Sequence, residues 1–195
     1  MTREVLAAAV VRALSVSPLT IGAVVSERDL PPREPGFYAW WALRGAIADV
    51  PHVPHPRDGE LGLFYLGISP KRPSSKQNLH DRVRRQHIGG NTGSSTFRYV
   101  LAALLLDELE LVPLARGEKV VLNRDGNREL SRWQRDNLRL SWCVRPRPWE
   151  IEDDVIALMK PPLNSSANAS HPFYPRVQKV RAEFRRRAGG TTTIR

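Results

Sequence analysis

Cysteine is nearly absent from the sequence. Cys143 stands alone, so one chain can build neither an internal disulfide nor a cysteine-based zinc site. Long apolar runs are missing too. The most apolar segments, 4–14 and 99–106, are shorter than the ~20 residues that cross a bilayer, and Arg12 interrupts the first. The VLAAAVV stretch near the start has no basic flank and no small-residue cleavage site, so it does not read as a secretory signal, and the cytoplasm is the expected compartment. Internal repeats, long linkers and low-complexity stretches are lacking as well, which leaves an ordinary globular composition of 41% hydrophobic and 26% charged residues. A chain of 195 residues then corresponds to one domain with short extensions.

Acidic residues are the minority charge. Thirty Lys and Arg face twenty Asp and Glu, leaving a net charge of +10, and polyanions are the natural partners of such a surface. Twenty-five of the thirty cations are arginine, whose planar fork meets phosphate oxygens two at a time. Genome composition can also favour arginine, so the excess supports a nucleic-acid partner without establishing one.

Apolar residues at helical spacing over 3–14 (Val5, Leu6, Ala9, Val10, Leu14) predict a leading helix ended by Ser15 to Pro18. GFYAWWAL at 36–43 and LGLFYLGIS at 61–69 predict two antiparallel strands, joined by a proline-rich insertion over 42–60 that either carries substrate contacts or is inert. A short cationic helix is expected from Gln77 to Ile88. After a glycine break at 89–93 comes a buried helix over FRYVLAALLLDEL, capped by the hydroxyls of Ser94, Ser95 and Thr96. A hairpin or loop at 110–127 is followed by a helix at 129–138 and a strand at 139–145. A helix from near Trp149 to the prolines at 161–162 and a basic amphipathic helix over 174–188 complete the chain. The expected fold class is α+β, a small, mainly antiparallel three-stranded sheet flanked by helices, with extra helices at both termini. The corresponding segments are an N-terminal helical extension at 1–30, a central domain at 31–168 and a C-terminal basic helix and tail at 169–195.

Taken singly, Tyr38 and Tyr65 read as packed strand residues, Arg82 as a solvated helix charge and Glu152 as a surface carboxylate. Their order is more informative. Gly36-Phe37-Tyr38, Tyr65-Leu66-Gly67, Arg82 in a helix opened by Asn78-Leu79, Glu152 four residues before Ile156, and Pro161-Pro162-Leu163-Asn164 follow one another over 36–164. This series resembles the successive motifs of the GIY-YIG nuclease family, with GFY standing where the family has GIY and YLG where it has YIG. The resemblance implies an endonuclease that hydrolyses phosphodiester bonds of DNA with a single divalent ion, Mg²⁺ or Mn²⁺, bound mainly by Glu152. Restriction or defence, and repair, are the roles it suggests. RNA stays open as a substrate, because no base-reading motif is visible. A non-catalytic nucleic-acid-binding module on the same fold is the alternative.

Phosphodiester hydrolysis needs an activated water, charge stabilisation for the phosphate oxygens and help for the departing 3′-oxygen. Glu152, at the edge of a helical face with Ile151, Val155, Leu158 and Met159, offers a hard oxygen ligand suited to Mg²⁺. Asp153 and Asp154 lie about 100° and 200° around that helix and read as helix-start charges. Arg82 is the expected phosphate clamp. By the resemblance, Tyr38 and Tyr65 face the same cleft, one shaping the water and phosphate positions and the other acting as general base, with Tyr38 preferred. An unperturbed phenol, pKa ~10, is a poor base at neutral pH unless its surroundings tune it.

Asn164 reads either as a group that fixes the backbone or as a helix stop. Several family members have His or Lys four residues after the arginine, whereas this chain has Gln86 there and His87 next. On an α-helix residue 86 shares the face of Arg82 and residue 87 is turned about 100° further. His87 is therefore either a supporting proton donor at the helix end or a plain surface histidine. Arg84, Arg85, Ser94, Ser95 and Arg98 are the expected nucleic-acid contacts, combining cations with hydroxyls at a helix start. Trp40, Trp41 and Trp149 read as core residues ahead of base-stacking ones. Cutting both strands of a duplex needs two active sites, so a homodimer is the expected assembly, with no membrane partner.

Overall fold

The computed structural model describes residues 2–164 and 168–190; Met1, 165–167 and 191–195, which the expected segments include, lie outside the described residues. Among the described residues there are seven strands: β1 (Leu19–Thr20), β2 (Gly36–Leu43), β3 (Pro54–His55), β4 (Asp58–Ser69), β5 (Pro113–Arg116), β6 (Lys119–Leu122) and β7 (Leu138–Val144). β5 and β6 pair only with each other, and the other five form one antiparallel sheet in the order β1-β7-β2-β4-β3. The sheet thus has five strands where three were expected. The additional β1 and β3 are two residues each, too short for an alternation of apolar and polar residues to mark them.

The helices are α1 (Arg3–Leu14), α2 (Ile21–Ser26), a π-helix (Asp81–Ile88), α3 (Thr96–Leu104), α4 (Arg124–Asn137), α5 (Glu152–Met159) and α6 (Tyr174–Gly190). They cover both faces of the sheet. Ala7, Val10 and Leu14 of α1 and Val155, Ile156 and Met159 of α5 pack on Phe37, Ala39 and Trp41 of β2. The opposite face, with Tyr38, Trp40 and Ala42, carries the π-helix, α3, α4 and α6. Burial on two sides explains why β2 is a continuous apolar run instead of an alternating one. Trp40 and Trp41 are core residues, as expected, and Trp149 packs at the edge of the α1/α5 layer.

The terminal segments are built into this scaffold. β1 pairs with β7, Arg3 of α1 forms an ion pair with Asp154 of α5 at 2.9 Å, and Phe184 of α6 packs edge-on against Tyr99 of α3. Part of the 42–60 insertion joins the sheet as β3, with His55 buried against Trp41. α3 stops at Leu104, earlier than the apolar pattern implied. Leu105 and Leu106 stay in the core after the helix has ended, so hydrophobicity alone does not mark the stop.

Candidate active site

Gly36, Ser69 and Val144 stand side by side at one end of the sheet. The chain leaves this end toward the π-helix after β4 and toward α5 after β7, and the residues singled out from the sequence collect around it. Tyr38 lies opposite Gly67. A Cβ on Gly67 would sit 2.3 Å from the Tyr38 hydroxyl, so the phenol needs the bare backbone beneath it. A Cβ on Gly36 would lie 2.2 Å from the carbonyl oxygen of Cys143 and 2.8 Å from Leu79, so that glycine lets β7 and the segment before the π-helix close on the start of β2.

Tyr65 reaches the same side through a β-bulge. Trp40 pairs with Tyr65 and Trp41 with Leu63, leaving Phe64 as the extra residue. Leu61 and Leu63 face α1 and α5, then Phe64 and Tyr65 both face the other way, and Leu66 and Ile68 return to the first side. Without the extra residue, strict alternation would put Tyr65 with Leu61 and Leu63, on the wrong face. With it, the Tyr38 and Tyr65 rings lie 6.4 Å apart and close to parallel.

The π-helix supplies Arg82, Gln86 and His87. Its i→i+5 hydrogen bonding brings residue 87 back toward the face of residue 82, which an α-helix would not do. Arg82 Nε donates to Tyr38 Oη at 3.3 Å, Arg82 Nη1 donates to Gln86 Oε1, and His87 Nε2 lies 2.7 Å from Tyr38 Oη. His87 is completely buried, ringed by Tyr38, Trp40, Tyr65 and Phe97. The surface reading of His87 is thereby corrected. The helix type absorbs the one-residue shift.

Glu152 opens α5 after the turn that follows β7, and it is half-buried. Its charge is felt at both phenols, and Lys71, just beyond β4, is felt in turn at Glu152 and at His87. Asn164 holds the neighbouring backbone: its Oδ1 accepts from Leu66 N–H at 2.9 Å and its Nδ2 donates to the Leu66 carbonyl at 2.8 Å. Leu163 N–H also donates to Phe64 O at 3.0 Å. The chain at 163–164 thus lies along the edge of β4 beside Tyr65.

The family model of the GIY-YIG catalytic domain matches residues 36–183, from the first glycine of β2 into α6. The chain belongs to the GIY-YIG family. No curated protein and no solved structure matches it. The family is one of nucleases, which act on nucleic acid.

In this GIY-YIG domain the electrostatics are set by burial against a shared cation. Burial raises the Tyr38 phenol above its ordinary range, and the guanidinium of Arg82 works against that rise. Tyr65 is raised for the same reason. Burial opposes the charge on Arg82, but the two tyrosines outweigh it and leave Arg82 firmly protonated. His87 is pushed well below the usual histidine range by burial and then by Arg82, Arg98 and Lys71. It is therefore a neutral imidazole at pH 7, which corrects its expected role as a proton donor in the charged form. The Glu152 carboxyl is raised by burial and partly restrained by Lys71.

Three of the expected nucleic-acid contacts are engaged inside the protein. Arg84 donates to the carbonyls of Val24, Val25, Glu27 and Leu30 at 2.8–3.1 Å and so closes the C-terminal end of α2. Arg98 is wholly buried, its guanidinium donating to the His87 and Ile88 carbonyls, to Gln134, Asn127 and Ser131. Ser95, 2% exposed, caps α3 through Arg98 N–H and lies 2.7 Å from His87 Nδ1. A cation inside a folded core is read from sequence as a surface charge unless its acceptors, here far along the chain, are known. Arg85 and Ser94 are exposed; Arg85 pairs with Asp81 at 3.3 Å, and Ser94 donates to Asn91 O.

Lys71 and Gln86 were not among the expected site residues. Gln86 occupies the position at which the family's His or Lys was sought, so its place was visible although its partner was not. Lys71 carries no motif, and only its position shortly after the second tyrosine motif points to it.

The fit of Gly67 to Tyr38 carries a prediction. Gly67→Ala is expected to push the phenol off its partners and lower turnover by about a hundredfold, the usual cost of misplacing a reacting group by an ångström. The Tm should fall by a few degrees at most. Steady-state kinetics beside a thermal melt would check it, and unchanged turnover would mean that Tyr38 need not lie where it does.

Proposed function

We propose that this GIY-YIG domain is a metal-dependent endonuclease that hydrolyses phosphodiester bonds of DNA, in a restriction-like, defence-like or repair-like role. The observation that supports this best is the convergence of Tyr38, Arg82 and His87 into one hydrogen-bonded group, with Tyr65 and Glu152 electrostatically coupled to it. Arg82 has a partly open guanidinium whose remaining N–H groups can grip a phosphate oxygen as its charge grows. Tyr38, with Arg82 holding its oxygen, is placed to receive a proton from the attacking water once its own has left. Tyr65, beside it, orders the water and phosphate.

The described residues contain no cluster of three or more His, Cys, Asp or Glu that could enclose a cation. The half-buried carboxylate of Glu152 at the cleft nevertheless fits a hard ion that keeps most of its waters, as Mg²⁺ and Mn²⁺ do. Glu152 would hold that ion, and the ion would supply positive charge beside the scissile phosphate.

Polyanion contacts outside the cleft are assigned to Arg85 and to the cations around a cavity of about 280 Å³. Ser94, Thr96, Lys119, Arg181 and Arg185 line it, with Glu118 as its acidic member. One chain carries one such cleft, so cutting both strands of a duplex would take two copies.

Supercoiled plasmid and a linear duplex test the reading directly. Cleavage is expected with Mg²⁺ or Mn²⁺ and not with chelator, and Glu152→Ala should lower it by a hundredfold or more. Tight, salt-sensitive DNA binding without cleavage under any divalent ion would favour the non-catalytic alternative. Preferential cutting of RNA would change the substrate while leaving the chemistry.

A further inference from the structure

His87 has both ring nitrogens engaged in a place that water does not reach. Nε2 lies 2.7 Å from Tyr38 Oη and Nδ1 lies 2.7 Å from Ser95 Oγ. Each hydroxyl already accepts one N–H from elsewhere: Ser95 Oγ from the backbone of Arg98 at 3.0 Å, and Tyr38 Oη from Arg82 Nε at 3.3 Å. A hydroxyl has one proton to give and two lone pairs to receive with, so the protons can be counted.

With the proton on Nδ1, that nitrogen donates to Ser95 Oγ. Ser95 then accepts twice, and its own proton is left without an acceptor in a residue that is 2% exposed. With the proton on Nε2, Ser95 donates to Nδ1 and accepts from Arg98, which uses its proton and one lone pair well. The N–H of Nε2 then points at the Tyr38 oxygen. The one proton without a partner is now that of Tyr38, the residue at the cleft. A doubly protonated ring is opposed by every cation near it: Arg82 on its own helix, Arg98 on α3 and Lys71 beyond β4, while its other polar neighbours, Tyr38 and Tyr65, are neutral phenols.

We propose that Ser95 is a positioning residue, whose hydroxyl donates to His87 Nδ1 and so fixes the imidazole as an Nε2–H donor to Tyr38. The Tyr38 oxygen then receives two N–H groups, from His87 and from Arg82. Both bonds strengthen when the phenol proton leaves, offsetting part of the burial that resists this loss. Ser95 thus does two things with one hydroxyl. It starts α3, and it orients a ring one layer deeper. The tautomer itself does not depend on the nuclease reading; only its use does.

Nitrogen-15 NMR of the full chain labelled at histidine tests this, with the His87 signals assigned by their loss in His87→Gln. The wild type is expected to show a neutral ring with Nε2 protonated and Nδ1 as hydrogen-bond acceptor. Ser95→Thr should keep that signature and turnover within a few-fold. Ser95→Gly, which removes the hydroxyl at a position where glycine starts a helix far better than alanine does, should lose the fixed tautomer. It should also lower kcat by about tenfold to a hundredfold, the range for partners that orient a reacting group, with KM little changed. An Nδ1-protonated or charged ring in the wild type would overturn the proposal, as would an unaltered signature in Ser95→Gly. If a variant fails to fold, the wild-type spectrum alone decides. The expected tautomer in a protein that does not cut DNA would leave the assignment standing and remove the nuclease reading instead.

Discussion

Arg82→Ala is expected to slow cleavage by about a hundredfold to a thousandfold, the cost of removing one fixed donor from a site where charge develops. Two losses combine in that figure. The phosphate loses a clamp, and Tyr38 loses the N–H that Arg82 Nε gives it. The second loss has a sign. Arg82 lowers the proton affinity of both phenols, so without it they are held still more tightly in the protonated form. A rate that requires Tyr38 to lose its proton should therefore rise only at higher pH in the variant, and its alkaline limb should move upward. Arg82→Lys, which keeps a charge but not the fork, should recover part of the rate and most of the profile. Stability should change little, because Arg82 is only partly buried and its loss strands no buried carbonyl. Single-turnover rates across pH, with a melting curve for each variant, would check all of this. Undiminished cleavage by Arg82→Ala would remove the mechanism.

The second large effect is on the fold. Arg98→Leu is expected to destabilise the protein by about 3–5 kcal/mol, as when a buried charged donor is removed and its partners are left behind. The carbonyls of His87 and Ile88, at the end of the π-helix, and that of Asn127 in α4 each lose a donor at 3.2 Å. Burial pulls the Arg98 pKa down to about 10 but leaves it charged at neutral pH, so its hydrogen bonds are the strong, charge-assisted kind. For a chain of this length the loss corresponds to a drop in Tm of roughly 10 °C or more. Circular dichroism melting would measure it. A Tm within 2 °C of wild type, together with weakened DNA binding, would return Arg98 to the surface role that its charge suggested.

What the sequence made legible was whatever is local. GFYAWWAL gave the bounds of β2, and the hydrophobic runs gave β4, β7 and α6 within a few residues. The motif glycines were legible as members of a series, though their partners were not: Gly67 is explained by the ring of Tyr38, 29 residues away in sequence. The bulge at Phe64 left a trace, since Leu61 and Leu63 are out of step with Leu66 and Ile68, but that slip is readable only when the strand's two faces are known. The π-helix left none. Its sequence has ordinary helical spacing, and the extra residue between Arg82 and His87 looked like a departure from the family when it is compensated by the helix type. The cations were the least legible, because Arg84, Arg85 and Arg98 look alike on the page. Carbonyls at 24–30, a carboxylate at 81 and amides near 127–134 give them three different fates.

The clasp of Leu163 and Asn164 on β4 has a consequence for how copies of this chain can meet. The main-chain groups of Phe64 and Leu66 that point away from β2 are already taken, by a segment that arrives 98 residues after Leu66. A free strand edge is a standing invitation to sheet extension between molecules. Here that invitation is withdrawn beside the second tyrosine, and any twofold pairing of two such enzymes on a duplex has to be made by side chains on other surfaces.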